Sequence, residues 1–230
     1  MGFRKDTYKE TDMSLVLKDE PREDREYQIL DSGMHLGICV QVIDFGPQSS
    51  TYNGEVKEQN KVRLAFEIPD ERIEYEKDGE KLEGPMMIGK TYTASMYTMA
   101  TLRKHLAAWR GRDFTEVELM GFDLTDVLGK PCMISVVHRE YEGKTYANID
   151  SISKVMKGMA VPDPEGTLIS FDFDDHTPEQ LAELPSWMQD KVEDGKKLLA
   201  EQKARARDVP PPHTDKDVPD MDVDGDEIPF

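Results

Sequence analysis

The chain is poor in the residues that build most active sites. Its 230 residues include 2 cysteines, 5 histidines and 2 tryptophans. Cys39 and Cys132 sit in separate apolar runs, with neither Cys-x-x-Cys nor metal-ligand spacing. That excludes zinc-ribbon and thiol-redox chemistry and predicts two buried free thiols in a reducing compartment. The histidines show no metal-ligand or triad spacing. No apolar run approaches the ~18 residues of a membrane span, and no signal peptide opens the sequence. The expectation is a soluble, cytoplasmic protein with no membrane contact.

Three enzyme-like signals also fall short. Gly129-Lys130 is followed by Pro131 where a phosphate loop needs Ser or Thr, and Gly121 is at the wrong spacing. Asp220, Asp222, Asp224 and Gly225 open like a calcium loop, but its twelfth position falls beyond Phe230. Asp172, Asp174 and Asp175 lack His or Glu partners and read as a solvated charge run. With no nucleophile, acid–base pair or cofactor fingerprint, the sequence predicts a non-enzyme without metal or cofactor.

Charge, by contrast, is abundant and uneven. The net charge is -18. Residues 161–230 hold 7 Lys and Arg against 19 Asp and Glu, so two thirds of the excess lies there. Residues 89–160 hold 10 basic against 8 acidic residues and are mildly positive. Nucleic-acid binders usually carry a basic footprint, and here it is only local.

Residues 1–30 read as a charged arm and 31–158 as a β-rich domain. Leu36, Ile38, Val40 and Val42 alternate as one face of a strand. Phe45 to Glu58 reads as a long connection with a turn at Asn53-Gly54. Val62, Leu64, Phe66 and Ile68 mark a second strand, with Lys61, Arg63, Ala65 and Glu67 opposite, ended by Pro69. Residues 70–85 form a projecting hairpin or loop, and Lys90–Thr98 the third strand. Leu102, Leu106 and Trp109 then form a helical stripe, stopped at Gly111, which places Trp109 in the core. Thr115 to Glu118 has capping-box spacing, and Leu124–Leu128 forms a short turn. Cys132–Arg139 and Tyr146–Ile152 pair around Glu142-Gly143. The pattern is mainly β: a five-stranded OB-fold barrel with a helix between strands three and four. Residues 159–207 form a linker and C-terminal helix, starting at Thr177-Pro178 and broken near Pro185. That helix packs back on the barrel or mediates association, including homo-oligomerisation.

An OB barrel holds single strands in a groove across strands two and three, through aromatic platforms and backbone-tracking cations. The DNA-binding candidates by position are Tyr52 in the first loop, Arg63 on strand two, Tyr97 on strand three, and Arg139, Tyr141, Lys144 and Tyr146 around the last hairpin. Any of these could equally be ordinary sheet residues. Arg103, Lys104, Arg110 and Arg112 could guide phosphates or simply complement a helix C-terminus.

Residues 208–230 lead through Pro210-Pro211-Pro212 into an acidic stretch too polar to fold alone. Asp222, Asp224, Asp226 and Glu227 precede Ile228-Pro229-Phe230. An acidic peptide with a terminal aromatic suits an apolar pocket ringed by cations. One buried Phe contributes roughly 1.5–3 kcal/mol, so a single tail should bind weakly and exchange fast. The other account is a solvating tail.

This ending resembles the C-terminal tip of bacterial single-stranded DNA-binding proteins, which implies docking onto replication and repair enzymes. Residues 60–153 resemble a family of bacteriophage single-stranded DNA-binding or replication proteins. The resemblance rests on Lys61–Pro69, Leu102-Arg103-Lys104, Trp109–Arg112, Phe122-Asp123-Leu124, Leu128–Cys132 and Tyr146–Ile149. It implies an OB-fold that protects phage single strands during replication or recombination in the host bacterial cytoplasm. The expected function is sequence-independent single-stranded DNA binding with a recruiting tail. The alternative is an acidic adaptor or DNA mimic, which accounts for the charge but not for the Arg139–Tyr146 hairpin.

Overall fold

The computed structural model describes residues 28–52, 54–77 and 79–207. In chain order the elements are β1 (Gly33–Tyr52), β2 (Glu55–Lys77), β3 (Glu80–Thr93), α1 (Thr101–Arg110), α2 (Glu116–Met120), β4 (Pro131–Tyr141), β5 (Lys144–Ser153), β6 (Ile169–Phe171), α3 (Pro178–Glu183) and α4 (Ser186–Arg207). A 3-10 turn at Leu124–Val127 precedes β4.

The fold is mainly β. The first five strands form one antiparallel sheet in the order β3-β2-β1-β4-β5. Irregularities between Cys39 and Gln41, Asp44 and Pro47, Ile68 and Arg72, and Ser135 and Val136 interrupt the ladders. Such bulges bend strands and increase their twist. The sheet curls strongly, so that its edge strands β3 and β5 approach each other. Lys90 bridges that gap, its Nζ donating to the Ile149 carbonyl at 2.5 Å.

Inside the curl lie Leu64, Phe66, Ile68, Ile88, Cys132, Ile134, Val136 and Ile152, all buried. Helix α1 contributes Leu102, Leu106 and Trp109 to this core. Trp109 packs against Phe66 at 5.6 Å, and its Nε1–H donates to the Pro131 carbonyl at 2.7 Å. Burying a large side chain whose one donor is satisfied stabilises without an unmade hydrogen bond. Gly111 ends α1 in the left-handed region, φ 72°. Thr115 makes the capping box its sequence predicts, and Thr177, the expected start of the C-terminal helical segment, also forms one with Gln180. Cys39 and Cys132 are free and buried.

Several boundaries differ from the sequence expectation. The alternation expected through Leu36, Ile38, Val40 and Val42 is inverted by the irregularity at Val40. Ile38 pairs with Glu67, whereas Val42 pairs with Leu64 and faces the core. Phe45 to Glu58 is not a loop, because β1 and β2 run on as a paired hairpin to Tyr52 and Glu55. Tyr52 therefore ends a strand. Pro69 does not end β2. It lies in the irregular stretch between Ile68 and Arg72, where a missing N–H costs no ladder bond. Finally, β3 is Glu80–Thr93 rather than Lys90–Thr98, which leaves Tyr97 in the loop before α1.

The C-terminal segment packs on the outer face of the same chain's sheet. Strand β6 pairs in parallel with β1, Gln41 opposite Ile169 and Ile43 opposite Phe171. A second core of Ile43, Phe45, Phe171, Phe173, Leu184, Met188 and Val192 forms there. Two glycines permit the contact. A Cβ on Gly195 of α4 would meet the Phe45 carbonyl oxygen at 2.6 Å, and one on Gly46 (φ 65°) would meet the Phe173 ring at 2.5 Å. Glu67, buried on the outer face, accepts main-chain N–H bonds from Glu165 and Gly166 at 2.8 and 3.0 Å. Gln48, Gln202 and Arg205 further tie α4 to the β1–β2 hairpin.

Candidate functional site

The β4–β5 hairpin turns through Glu142 (φ 49°) and Gly143 (φ 74°). Two positive φ values make a turn whose twist matches that of the strands, and this fixes the register. Arg139 stands opposite Tyr146, and Tyr141 opposite Lys144. Directly paired residues share a face, and positions two apart along a strand repeat it. All four side chains therefore project from one side of the hairpin. Tyr141 and Tyr146 are exposed by 66% and 46%. Among the described residues neither Arg139 nor Lys144 has a carboxylate partner.

The outer face of β2 and β3 continues this surface. Arg63 is opposite Thr91 and Lys61 opposite Thr93. The Lys61 ammonium donates to Thr93 Oγ1 at 2.8 Å and Gln59 Oε1 at 3.0 Å, and burial draws its pKa down. Thr93 and Gln59 line a hollow of about 340 Å³ with Tyr97 and Met99. Thr91, two residues along, lines a second hollow of about 360 Å³ with Gly89, Lys90, Arg139 and Asn148. Lys90 is also shifted down, first by burial, while Asp150 pulls the other way and Arg139 adds to the depression.

Arg63 lies between these hollows and is half-buried. Its guanidinium lies over Gly89, where an added Cβ would come within 2.3 Å of Nη2. Trp187, in the first turn of α4, covers it, with Cζ 5.1 Å from the ring centroid. Among the described residues its Nε has no hydrogen-bond partner, and burial lowers its pKa.

The α1 region is different. Arg103 makes a two-pronged pair with Asp113, at 3.2 and 3.1 Å, and donates to the Met96 carbonyl. Arg112 pairs with Glu118 at 2.9 and 2.7 Å, and Arg110 pairs with the same carboxylate. Arg110 also lies over the Phe114 ring at 4.3 Å. The Arg112 pair and the Thr115 main chain hold Glu118 far below the usual carboxylate range. Only Lys104 of this group is exposed without a carboxylate partner among the described residues. Three of the four expected cations are thus committed to folding α1 against α2.

The structure therefore brings Arg63, Arg139, Tyr141, Lys144 and Tyr146 onto one strip and puts Tyr97 at its other end. It sets Arg103, Arg110 and Arg112 apart in ion pairs. The side chain of Tyr52 and all of Asp222, Asp224, Asp226, Glu227, Ile228, Pro229 and Phe230 lie outside the described residues. Sequence reasoning missed Lys61, Lys90 and Trp187. Lys61 was legible as the next outward position before Arg63. Trp187 had no local signal, because its place depends on where α4 docks. Among the described residues no group of three His, Cys, Asp or Glu side chains could hold a metal, and no helix is long and apolar enough to cross a membrane. Neither the protein-family models nor the curated proteins contain a match to this chain.

Proposed function

We propose that the chain is a sequence-independent single-stranded DNA-binding protein of phage type, and that its curled sheet is an OB barrel. The observation carrying this reading is the hairpin face on which Arg139, Tyr141, Lys144 and Tyr146 alternate cation and aromatic. It adjoins the Lys90 hollow on β3. Bases of any sequence stack on tyrosine rings while cations track the phosphates. The strand order, with β1 between β2 and β4, and α1 between β3 and β4 in the chain, accords with an OB barrel. The protein acts stoichiometrically: it shields exposed strands during replication or recombination and performs no catalysis. The acidic residues before Ile228-Pro229-Phe230 recruit replication or repair proteins.

A fluorescence anisotropy titration with labelled oligo-dT at two salt concentrations tests the reading, using the chain with and without residues 215–230. Saturable binding that weakens with salt is expected for both forms. No binding by either form would overturn the reading in favour of an acidic adaptor that occupies a partner's DNA site.

A further inference from the structure

We infer that Trp187, carried by α4 and backed by Arg63, is a base-stacking platform that forms one wall of the strand-binding surface. The C-terminal helix is then part of the site. The inference rests on the single-strand reading above.

Four observations converge. First, Trp187 is the exposed tryptophan of the chain's two, 43% accessible, whereas Trp109 is buried and hydrogen-bonded. An aromatic ring of that size left in water at the edge of a core is a poor use of its apolar area unless something covers it. Second, its position is fixed from below. The Arg63 guanidinium lies 5.1 Å from its centroid, and Phe45 packs against it at 6.2 Å. A ring held in place loses little freedom when a base stacks on it. Third, Arg63 has no carboxylate partner among the described residues, and its Nε is unbonded. A half-buried guanidinium without a counter-anion, in a chain of net charge -18, leaves local positive potential unneutralised. A phosphate would complement it.

Fourth, the platform is continuous with the rest of the strip. Arg63 covers Gly89, and Gly89 lines the same hollow as Arg139 and Asn148. Trp187 and the Tyr141–Tyr146 hairpin therefore stand on opposite sides of β3. A strand lying across β3 would have an aromatic surface on each flank and Arg63 between them. The helix that presents Trp187 is locked to the sheet by Gly195 and Val192.

Intrinsic tryptophan fluorescence separates this from the parent reading. The full chain and its Trp187→Phe variant are titrated with unlabelled oligo-dT, with anisotropy followed in parallel on labelled oligo-dT. Stacking on Trp187 quenches wild-type emission, with a midpoint matching the anisotropy Kd. In Trp187→Phe only the buried Trp109 emits, and the quenching disappears. Trp187→Ala removes the platform and weakens binding by about five- to 150-fold, the range that loss of one base–aromatic stack produces. Circular dichroism and a urea midpoint check that α4 stays docked in each variant. Binding by anisotropy with unquenched wild-type emission, or quenching that survives in Trp187→Phe, overturns the platform and leaves the parent reading standing. An absence of anisotropy change overturns both.

Discussion

Among the described residues, the sharpest division is between cations without a carboxylate partner on the β4–β5 hairpin and cations locked into ion pairs around α1. For the proposed binding of single strands it yields a quantitative prediction. Arg139→Gln with Lys144→Gln removes two charges that have no carboxylate partner among the described residues, and the paired control, Arg103→Gln with Arg112→Gln, removes two that are bound to Asp113 and Glu118. Each phosphate contact contributes about 0.7 to the slope of log K against log salt for single strands, so losing two lowers it by about 1.4. Between about 50 and 200 mM salt, the hairpin variant should then lose roughly sevenfold less affinity than the wild type. The control should keep the wild-type slope, because its arginines release no counterions on binding. Anisotropy with oligo-dT across four salt concentrations measures all three slopes. A hairpin variant with the wild-type slope, or a control that falls equally, would refute the argument that ion pairing decides which cations meet DNA.

Two further predictions concern the fold that presents this surface. Gly195→Val drives a side chain into the Phe45 carbonyl, a main-chain atom that cannot rotate away. It should cost about 1–3 kcal/mol, read as a lowered urea midpoint, and red-shift Trp187 emission. An unchanged midpoint would show that α4 is not seated on β1 as described. His105 is buried, its Nδ1 3.0 Å from the Tyr92 hydroxyl, and its pKa lies below 6.5 because of burial and then nearby Lys90. The unfolded chain therefore takes up a proton there before the folded one, so this contribution to stability is present above pH 6.5 and is lost as pH falls below it. Urea titrations at pH 7.5 and 5.5 should show that loss in the wild type and a smaller one in His105→Asn.

Features held by short-range chemistry were legible from the residues. The Glu142-Gly143 turn, the capping box at Thr115, the helix start at Thr177 and the stop at Gly111 each depend on neighbours a few positions away, and each formed where the pattern placed it. So did the core stripe of α1, since a helix repeats its faces every 3.6 residues. The shared face of Arg139, Tyr141, Lys144 and Tyr146 followed from a two-residue turn and a period of two.

Alternation failed where a ladder gained a residue. The irregularity at Val40 moved Ile38 and Val42 to opposite faces, although both are apolar and buried. Because the C-terminal segment covers the outer face of β1, that strand is apolar on both sides and its sequence carries no phase. The same covering explains why β6 went unseen: three residues, Ile169 to Phe171, are a strand only because β1 lies beside them.

By itself, then, the sequence determined the mainly β class, the α1 stripe and its stop, and the turn that joins β4 to β5. Tertiary structure alone decided which cations are locked in ion pairs. Arg112 and Lys144 look equally available in one dimension, and only the approach of Glu118 separates them. It also decided that a tryptophan from the C-terminal helix stands over Arg63. The contact joins residues 124 positions apart. It exists because Gly195 lets α4 close on Phe45, an approach set by packing between distant elements that no local pattern encodes.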